Sequence, residues 1–465
     1  MLRAILTSLL AMQLAWTLPG VAQQTSRPDP SDIAHPFNTP ASVAVPASDA
    51  EFSRWRDQIR TALFLPKRMP DPAAHDYGSF VPMAGVVAHR VTFAGQYGMR
   101  IPAIVYGPDH ASEKLSKLPA IVVVAGHGGD KTTWYEVYAG LLYASAGAVV
   151  ITYDPIGEDE RNSLRHSDAR DHDTAFAGSE SPVRLGGAMI GDVLSAVGYA
   201  TSLPQVDGNR IAVLGYSMGS LHAALAAALE PRIHALVLSG GGDLDGNGGS
   251  WDSSRKVMCQ GGPYQALSFL PDKGAILYAL HQRSGVALVL NGSADNLVVL
   301  PHHTSSFFAD LNTRVAALGG VGTNPIEYKF YEDVGHRPSW VNRDAATWLN
   351  AELRFPRWRN LSLDSLGETH IAEWALATGA TINHGYEAEQ SEGGIRALGH
   401  GFLAPTRAQL QVVPDAEWRA HQEEYSWQGL AKKILRAQGL PEIVPETAND
   451  SVQPSAVDKT PVVSH

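Results

Sequence analysis

Six short apolar runs constrain this chain more than any other feature. They are Ala120–Val124, Ala148–Tyr153, Ile211–Leu214, Ala235–Leu238, Val286–Leu290 and Ile326–Tyr331. Each is rich in Val, Ile and Leu and shows little polar alternation, the pattern of strands buried on both faces of a parallel sheet. Longer segments with helical character lie between and after them, at Trp134–Ala146, Gly187–Leu203, Ser220–Ala228, His302–Leu318 and Asp344–Leu353. Parallel strands need crossover connections, and helices provide them. The rhythm therefore predicts an α/β fold with a doubly wound, mostly parallel sheet.

The flanks depart from this rhythm. Arg90–Phe93 and Arg100–Tyr106, joined through Gly95 and Gly98, predict an antiparallel pair before the first parallel strand. Upstream, Phe52, Trp55, Ile59, Leu63 and Phe64 recur at helical spacing, which predicts an amphipathic helix over Glu51–Leu65. Residues 1–22 have the layout of a secretory signal peptide: Arg3, a mostly apolar Ala4–Leu18, then Pro19, Gly20 and Ala22 before Gln23. The apolar run is shorter than the about 20 residues that span a bilayer, so export to a periplasm or the medium is expected rather than anchoring.

Residues 23–50, with five prolines, read as an extended linker, and 51–355 as one α/β domain that includes the N-terminal helix. A C-terminal extension over 356–440 holds one helical stretch, Pro414–Gln438, and no assigned role. A polar tail over 441–465 reads as disordered.

Charge and cysteine content narrow the partners. The net charge of −11, from 36 basic and 47 acidic residues, disfavours nucleic acid and anionic lipid. Cys259 is the only cysteine, so no intramolecular disulfide exists, and it reads as a buried small hydrophobe. Oligomeric state is not legible.

The residues with chemical meaning stand just after the apolar runs. Gly215-Tyr216-Ser217-Met218-Gly219 follows Ile211–Leu214 and precedes a helical segment. That context suits a nucleophile elbow, in which a strained turn lifts the serine hydroxyl above the sheet. A serine needs a base, and the base needs an acid to hold its tautomer. Asp295 follows Val286–Leu290 in Asn291-Gly-Ser-Ala-Asp, and His336 follows the last run in Asp333-Val-Gly-His. Both fall at the carboxyl edge of the sheet, where ligands of open α/β sheets collect, in the order Ser, Asp, His. Asp243, Asp245 and Asp333 are alternative acids. His302 and His303 read as solvated or capping residues. Ala125-Gly-His127-Gly128-Gly-Asp130 follows the first run, where the N–H of His127 or Gly128 would join that of Met218 in an oxyanion hole.

These motifs resemble the α/β-hydrolase superfamily of serine hydrolases. Gly98-Met-Arg-Ile-Pro-Ala and Asp154-Pro-Ile-Gly-Glu-Asp-Glu-Arg161 are similar to acetyl xylan esterase-like and dienelactone hydrolase-like members. In those members the latter loop usually reads Asp-Pro-x-Gly-x-Gly-Glu-Arg, so Asp159 replaces a glycine. The resemblance covers roughly Val86–Leu353. It implies Ser217 as nucleophile, His336 as base and Asp295 as its orienting acid, with an acyl-enzyme and a small-molecule or glycan ester as substrate. Two other readings compete. Prolyl-oligopeptidase-type peptidases share the triad order but usually carry a large N-terminal propeller, for which there is little room here. A carbohydrate- or surface-binding protein could keep the fold without catalysis.

No cofactor and no metal are expected. Asp243-Leu-Asp245-Gly-Asn247-Gly248 opens like a calcium loop, but Ser254 stands where a closing Glu belongs. His166, Asp168, Asp171, His172 and Asp173 could form a metal site, but they read first as a solvated acidic loop. The long segments Glu158–Arg184 and Gly240–Gly285 read as substrate-binding insertions, with Trp251, Tyr264, Phe269 and Leu270 either lining a pocket or packing.

Overall fold

A computed structural model describes residues 47–109, 117–165, 171–295, 297, 304–319, 324–380 and 396–445. Nine strands form one sheet: β1 His75–Met83, β2 Val86–Ala94, β3 Arg100–Pro108, β4 Leu118–Val124, β5 Val149–Tyr153, β6 Val206–Tyr216, β7 Ile233–Ser239, β8 Val286–Gly292 and β9 Glu327–Tyr331. Their spatial order is β1-β2-β3-β5-β4-β6-β7-β8-β9. Pairings from β1 through β3 to β5 are antiparallel, and all later ones are parallel. The fold is the mostly parallel α/β sheet that the apolar rhythm predicts, with the expected antiparallel entry. It has one more strand there than the sequence reading names, because β1 is an edge strand whose side chains are mostly exposed.

Alternate residues of the parallel strands feed two cores. Val122 and Val213 pack on one side, and Ile121, Val123 and Leu214 on the other. On the first face lie α1 Asp49–Ala62, α3 Ser181–Ser202, α4 Met218–Leu229, α5 Lys273–Gln282 and α6 Ser305–Gly319. On the second lie α2 Trp134–Ser145 and α7 Arg343–Leu353. The N-terminal helix begins at a Ser48–Glu51 capping box and buries Phe52, Trp55 and Ile59. Its Arg56 and Arg60 donate to the carbonyls of Ala228, Leu229 and Leu280, at the C-terminal ends of α4 and α5.

The reading of Gly240–Gly285 as an insertion is corrected by α5, a crossover helix buried on all sides. Trp251, Tyr264 and Leu270 belong to the core around it, so they pack rather than line a pocket, while Phe269 is exposed. The Asp243–Gly248 turn shows no calcium-loop arrangement. Asp245 accepts from the Ser250 N–H, and Asn247 donates to the carbonyls of Ser268 and Leu270.

Downstream of α7 the chain wraps back over the second face. Tyr138 of α2 donates to the carbonyls of Leu398 and Gly399, and Phe355, Trp358 and Trp374 enter the same core. The single helix expected over Pro414–Gln438 is instead three: Asp415–Ala420, Gln422–Tyr425 and Trp427–Ala437. Non-helical dihedrals at His421 and Ser426 divide them, and the Ser426 side chain caps the last by accepting from the Gly429 N–H. Residues 1–46, 446–465, His166, Asp168, His302 and His303 lie outside the described residues. Among the described residues no helix is long and apolar enough to cross a membrane.

Candidate active site

The parallel register brings the ends of β4, β6, β7, β8 and β9 to one edge: Val124 pairs with Gly215, Tyr216 with Ser239, Ser239 with Leu290, and Gly292 with Tyr331. Ser217 follows β6 directly, with φ 53° and ψ −119°, at the position just before α4, and its side chain makes no capping hydrogen bond. A non-glycine residue in that region is strained by roughly 1–3 kcal/mol, and the surrounding packing holds it there. A side chain at Gly215 would come within 2.5 Å of the Gly219 carbonyl, and one at Gly219 would strike the carbonyls of Val124 and Ala125. The two glycines thus let the elbow close against β4 and α4.

His336 and Asp295 sit on two interlocked loops. The Ala294 N–H donates to the Val334 carbonyl at 3.0 Å, and the Ser293 N–H to that of Tyr331 at 2.9 Å. Across this junction His336 Nδ1 lies 2.6 Å from Asp295 Oδ2, with both residues buried. The His336 ring also packs on Tyr216, the residue before Ser217, at 4.9 Å between centroids. Gly240 makes room for it, since a Cβ there would stand 2.8 Å from His336 Cε1. Tyr216 Oη and Arg337 Nη1 both donate to the His336 carbonyl, and Ser239 Oγ bridges Arg337 and Ser339. None of these supporting groups carries a motif; only knowledge of the register would have singled them out.

The alternative acids make other contacts. Asp245 is occupied with its own turn, the Asp243 carbonyl holds the Trp251 indole, and Asp333 is exposed with its N–H on Ser293 Oγ. Of the two candidate oxyanion donors after β4, the Gly128 N–H is committed to Glu158 Oε1 at 3.1 Å. That corrects its expected role. His127 remains, on a loop held against the first turn of α4 by the Gly219 contact.

Beneath this loop lies a buried charge cluster. Lys131 Nζ stands 2.6 Å from Asp154 and Asp159 and 2.9 Å from Glu160. Burial alone would push the lysine down, but those carboxylates hold it well above its usual value. Burial pushes Asp154 well up, against the pull of Lys131. The cluster ties the loop after β4 to the loop after β5.

Residues 78–239 match the family model described as acetyl xylan esterase. That stretch, about a third of the chain, runs from β1 to β7 and includes the elbow and the loop after β4. Over that stretch the chain is similar to the acetyl xylan esterase family. Its match to the curated uncharacterized protein PA2218 of Pseudomonas aeruginosa is 30% identical over 160 residues, 34% of this chain and 38% of that one. A second relative, thiohydrolase apmlB of Arthrinium phaeospermum, is 30% identical over 122 residues, 26% of this chain and 34% of that one. The chain therefore spans little more than a third of the length of these relatives. Among solved structures, the acetyl xylan esterase from Paenibacillus sp. R4 is 17% identical at a TM-score of 0.45, covering 68% of this chain and 100% of that one. Asp295 and His336 lie beyond the family match, so their pairing rests on geometry.

Proposed function

We propose that the chain is a serine esterase cleaving a carboxylic ester, one carried by an acetylated or otherwise esterified glycan. The 2.6 Å contact between His336 and Asp295, on the sheet edge that also bears the strained Ser217, carries this reading. The acetyl xylan esterase match supports the substrate class. Asp295 accepts from Nδ1–H of His336 and thereby leaves a lone pair on Nε2. That nitrogen takes the Ser217 hydroxyl proton as Oγ attacks the ester carbonyl. The backbone N–H groups of Met218 and His127 receive the developing oxyanion. His336 then returns the proton to the departing alcohol, leaving an acyl group on Ser217. Water, deprotonated by His336, repeats the sequence and releases the acid. We further propose that the protein acts outside the cytoplasm, after removal of residues 1–22.

Ser217→Ala is expected to lower turnover of an acetyl ester by about 10⁶ and to abolish labelling by a fluorophosphonate. Near-normal turnover in that variant would exclude the mechanism. A panel of acetyl, aryl and uronate esters with peptides would place the substrate, and preference for the peptides would favour the peptidase reading.

A further inference from the structure

The loop expected to be solvated at Asp171–Asp173 is not: Asp171 and His172 are fully buried. His172 Nδ1 lies 2.7 Å from the Ile156 carbonyl and must donate to it, which leaves the lone pair on Nε2. Nε2 is buried and has no hydrogen-bond partner. It faces three more electron-pair donors from separate segments: His127 Nε2, Asp173 Oδ1 and Cys259 Sγ, all four atoms lying within 4.8 Å of one another.

The separations are 3.1 Å for His127–Cys259, 3.5 Å for His127–Asp173, 3.8 Å for His172–Asp173 and 4.0 Å for Cys259–Asp173. Zinc bonds of about 2.0–2.3 Å arranged as a tetrahedron set such atoms about 3.3–3.6 Å apart, within roughly 0.5 Å of what is seen. His172 Nε2, buried and without a hydrogen-bond partner, is costly to leave unmatched, and a cation among these four atoms would satisfy it.

We propose that His127, His172, Asp173 and Cys259 form a closed site for one divalent transition-metal ion of the zinc type. Two neutral imidazoles, a carboxylate and a thiolate balance the ion's charge, the thiol proton leaving to solvent on binding. Outer partners are already in place. Ile156 orients His172, Lys256 pairs with the second oxygen of Asp173, and His222 Nε2 donates to the Cys259 carbonyl at 2.8 Å. Glu158 Oε1, which holds the Gly128 N–H, stands 3.8 Å from His172 Nδ1. Asp173 and His127 are partly exposed and give the ion an entry path. Four protein ligands leave no open position, so the ion's role is to pin the loop after β4 rather than to bind substrate. The site stands whether or not Ser217 is catalytic.

The test uses the full chain, stripped with a chelator and reloaded with Co²⁺ or Zn²⁺. Expected are one metal per chain retained through gel filtration, a rise in Tm with Zn²⁺, and, with Co²⁺, the strong visible bands of a tetrahedral ion with a thiolate charge-transfer band in the near ultraviolet. Cys259→Ser should remove that charge-transfer band, and Cys259→Ser and His172→Gln should each weaken retention by at least about tenfold. Should either buried variant fail to fold, the part-exposed Asp173→Asn, with the same expected loss of retention, decides. Less than a tenth of an equivalent bound by the wild type, cobalt bound without the thiolate band, or wild-type retention in the variants would overturn the site.

Discussion

At the level of single residues, Asp159 shows how one side chain can justify a departure from a family pattern. It stands where similar loops carry glycine, and its φ is 37°, a conformation that favours glycine. Its carboxylate binds Lys131 on one side and Arg407 of the C-terminal extension on the other. Relief of the backbone would be worth about 1–3 kcal/mol, whereas leaving a buried cation short of a partner costs about 3–5 kcal/mol. The second effect wins, so Asp159→Gly is expected to lower the thermal midpoint; a rise would show that the ion cluster contributes nothing. Asp295 is the other informative position. Asp295→Asn keeps the volume but favours the wrong tautomer of His336, and kcat on an acetyl ester should fall by about 10⁴ with the melt unchanged. A loss under tenfold would move the orienting role to another acid. Ser217, Asp295 and His336 were legible because chain order and strand ends suffice to place them. The His127, His172, Asp173 and Cys259 grouping was not, since three loops with no common spacing assemble it.

Among the elements, legibility followed burial. The parallel strands are apolar throughout because both faces are covered, and such runs stand out from polar neighbours. Helix α5 is also covered all round, and that hid it: with Ala275, Ile276, Leu277, Ala279 and Leu280 buried alongside Lys273, His281 and Gln282, no polar face marks the period. His281 ends that helix with Nε2 3.1 Å from the Val286 carbonyl, at the start of β8. Burial pushes its imidazole down to about 4, from about 6.5 in the unfolded chain. Between those values the unfolded state binds more protons, so stability falls as pH drops from 6.5 to 4 and is flat below. Each such histidine accounts for about 3 kcal/mol of that loss, and His222, also held near 4 by burial, behaves alike. His281→Gln should therefore show a shallower fall of denaturant-derived stability across that window. A slope equal to wild type would mean that His281 opens to water before it titrates.

For the molecule as a whole, the C-terminal extension is structural rather than appended. Glu160, in the loop after β5, accepts the N–H groups of Val412 and Val413 at 2.8 Å each, and its carbonyl takes the Trp418 indole. The same loop supplies Asp159 to Lys131, so the extension, the loop after β4 and the elbow share one connected set of contacts. The final helix, Trp427–Ala437, buries Trp427, Leu430, Ile434 and Leu435 in a cluster with Met189, Met258 and Met218, the residue after Ser217. Trp427 is fully buried and meets Phe176 edge to face at 5.8 Å. Truncating it removes that packing and leaves a cavity in the cluster that also holds Met218, at a cost of about 3–5 kcal/mol. If the Met218 N–H is an oxyanion donor, slackening its support should also lower kcat on an acetyl ester, while KM changes less, because the oxyanion exists only beyond the ground state. Trp427→Ala is thus expected to reduce both Tm and kcat, and Trp427→Phe to restore most of each. A variant that melts lower with kcat intact would confine the extension to stability and separate it from the chemistry at Ser217.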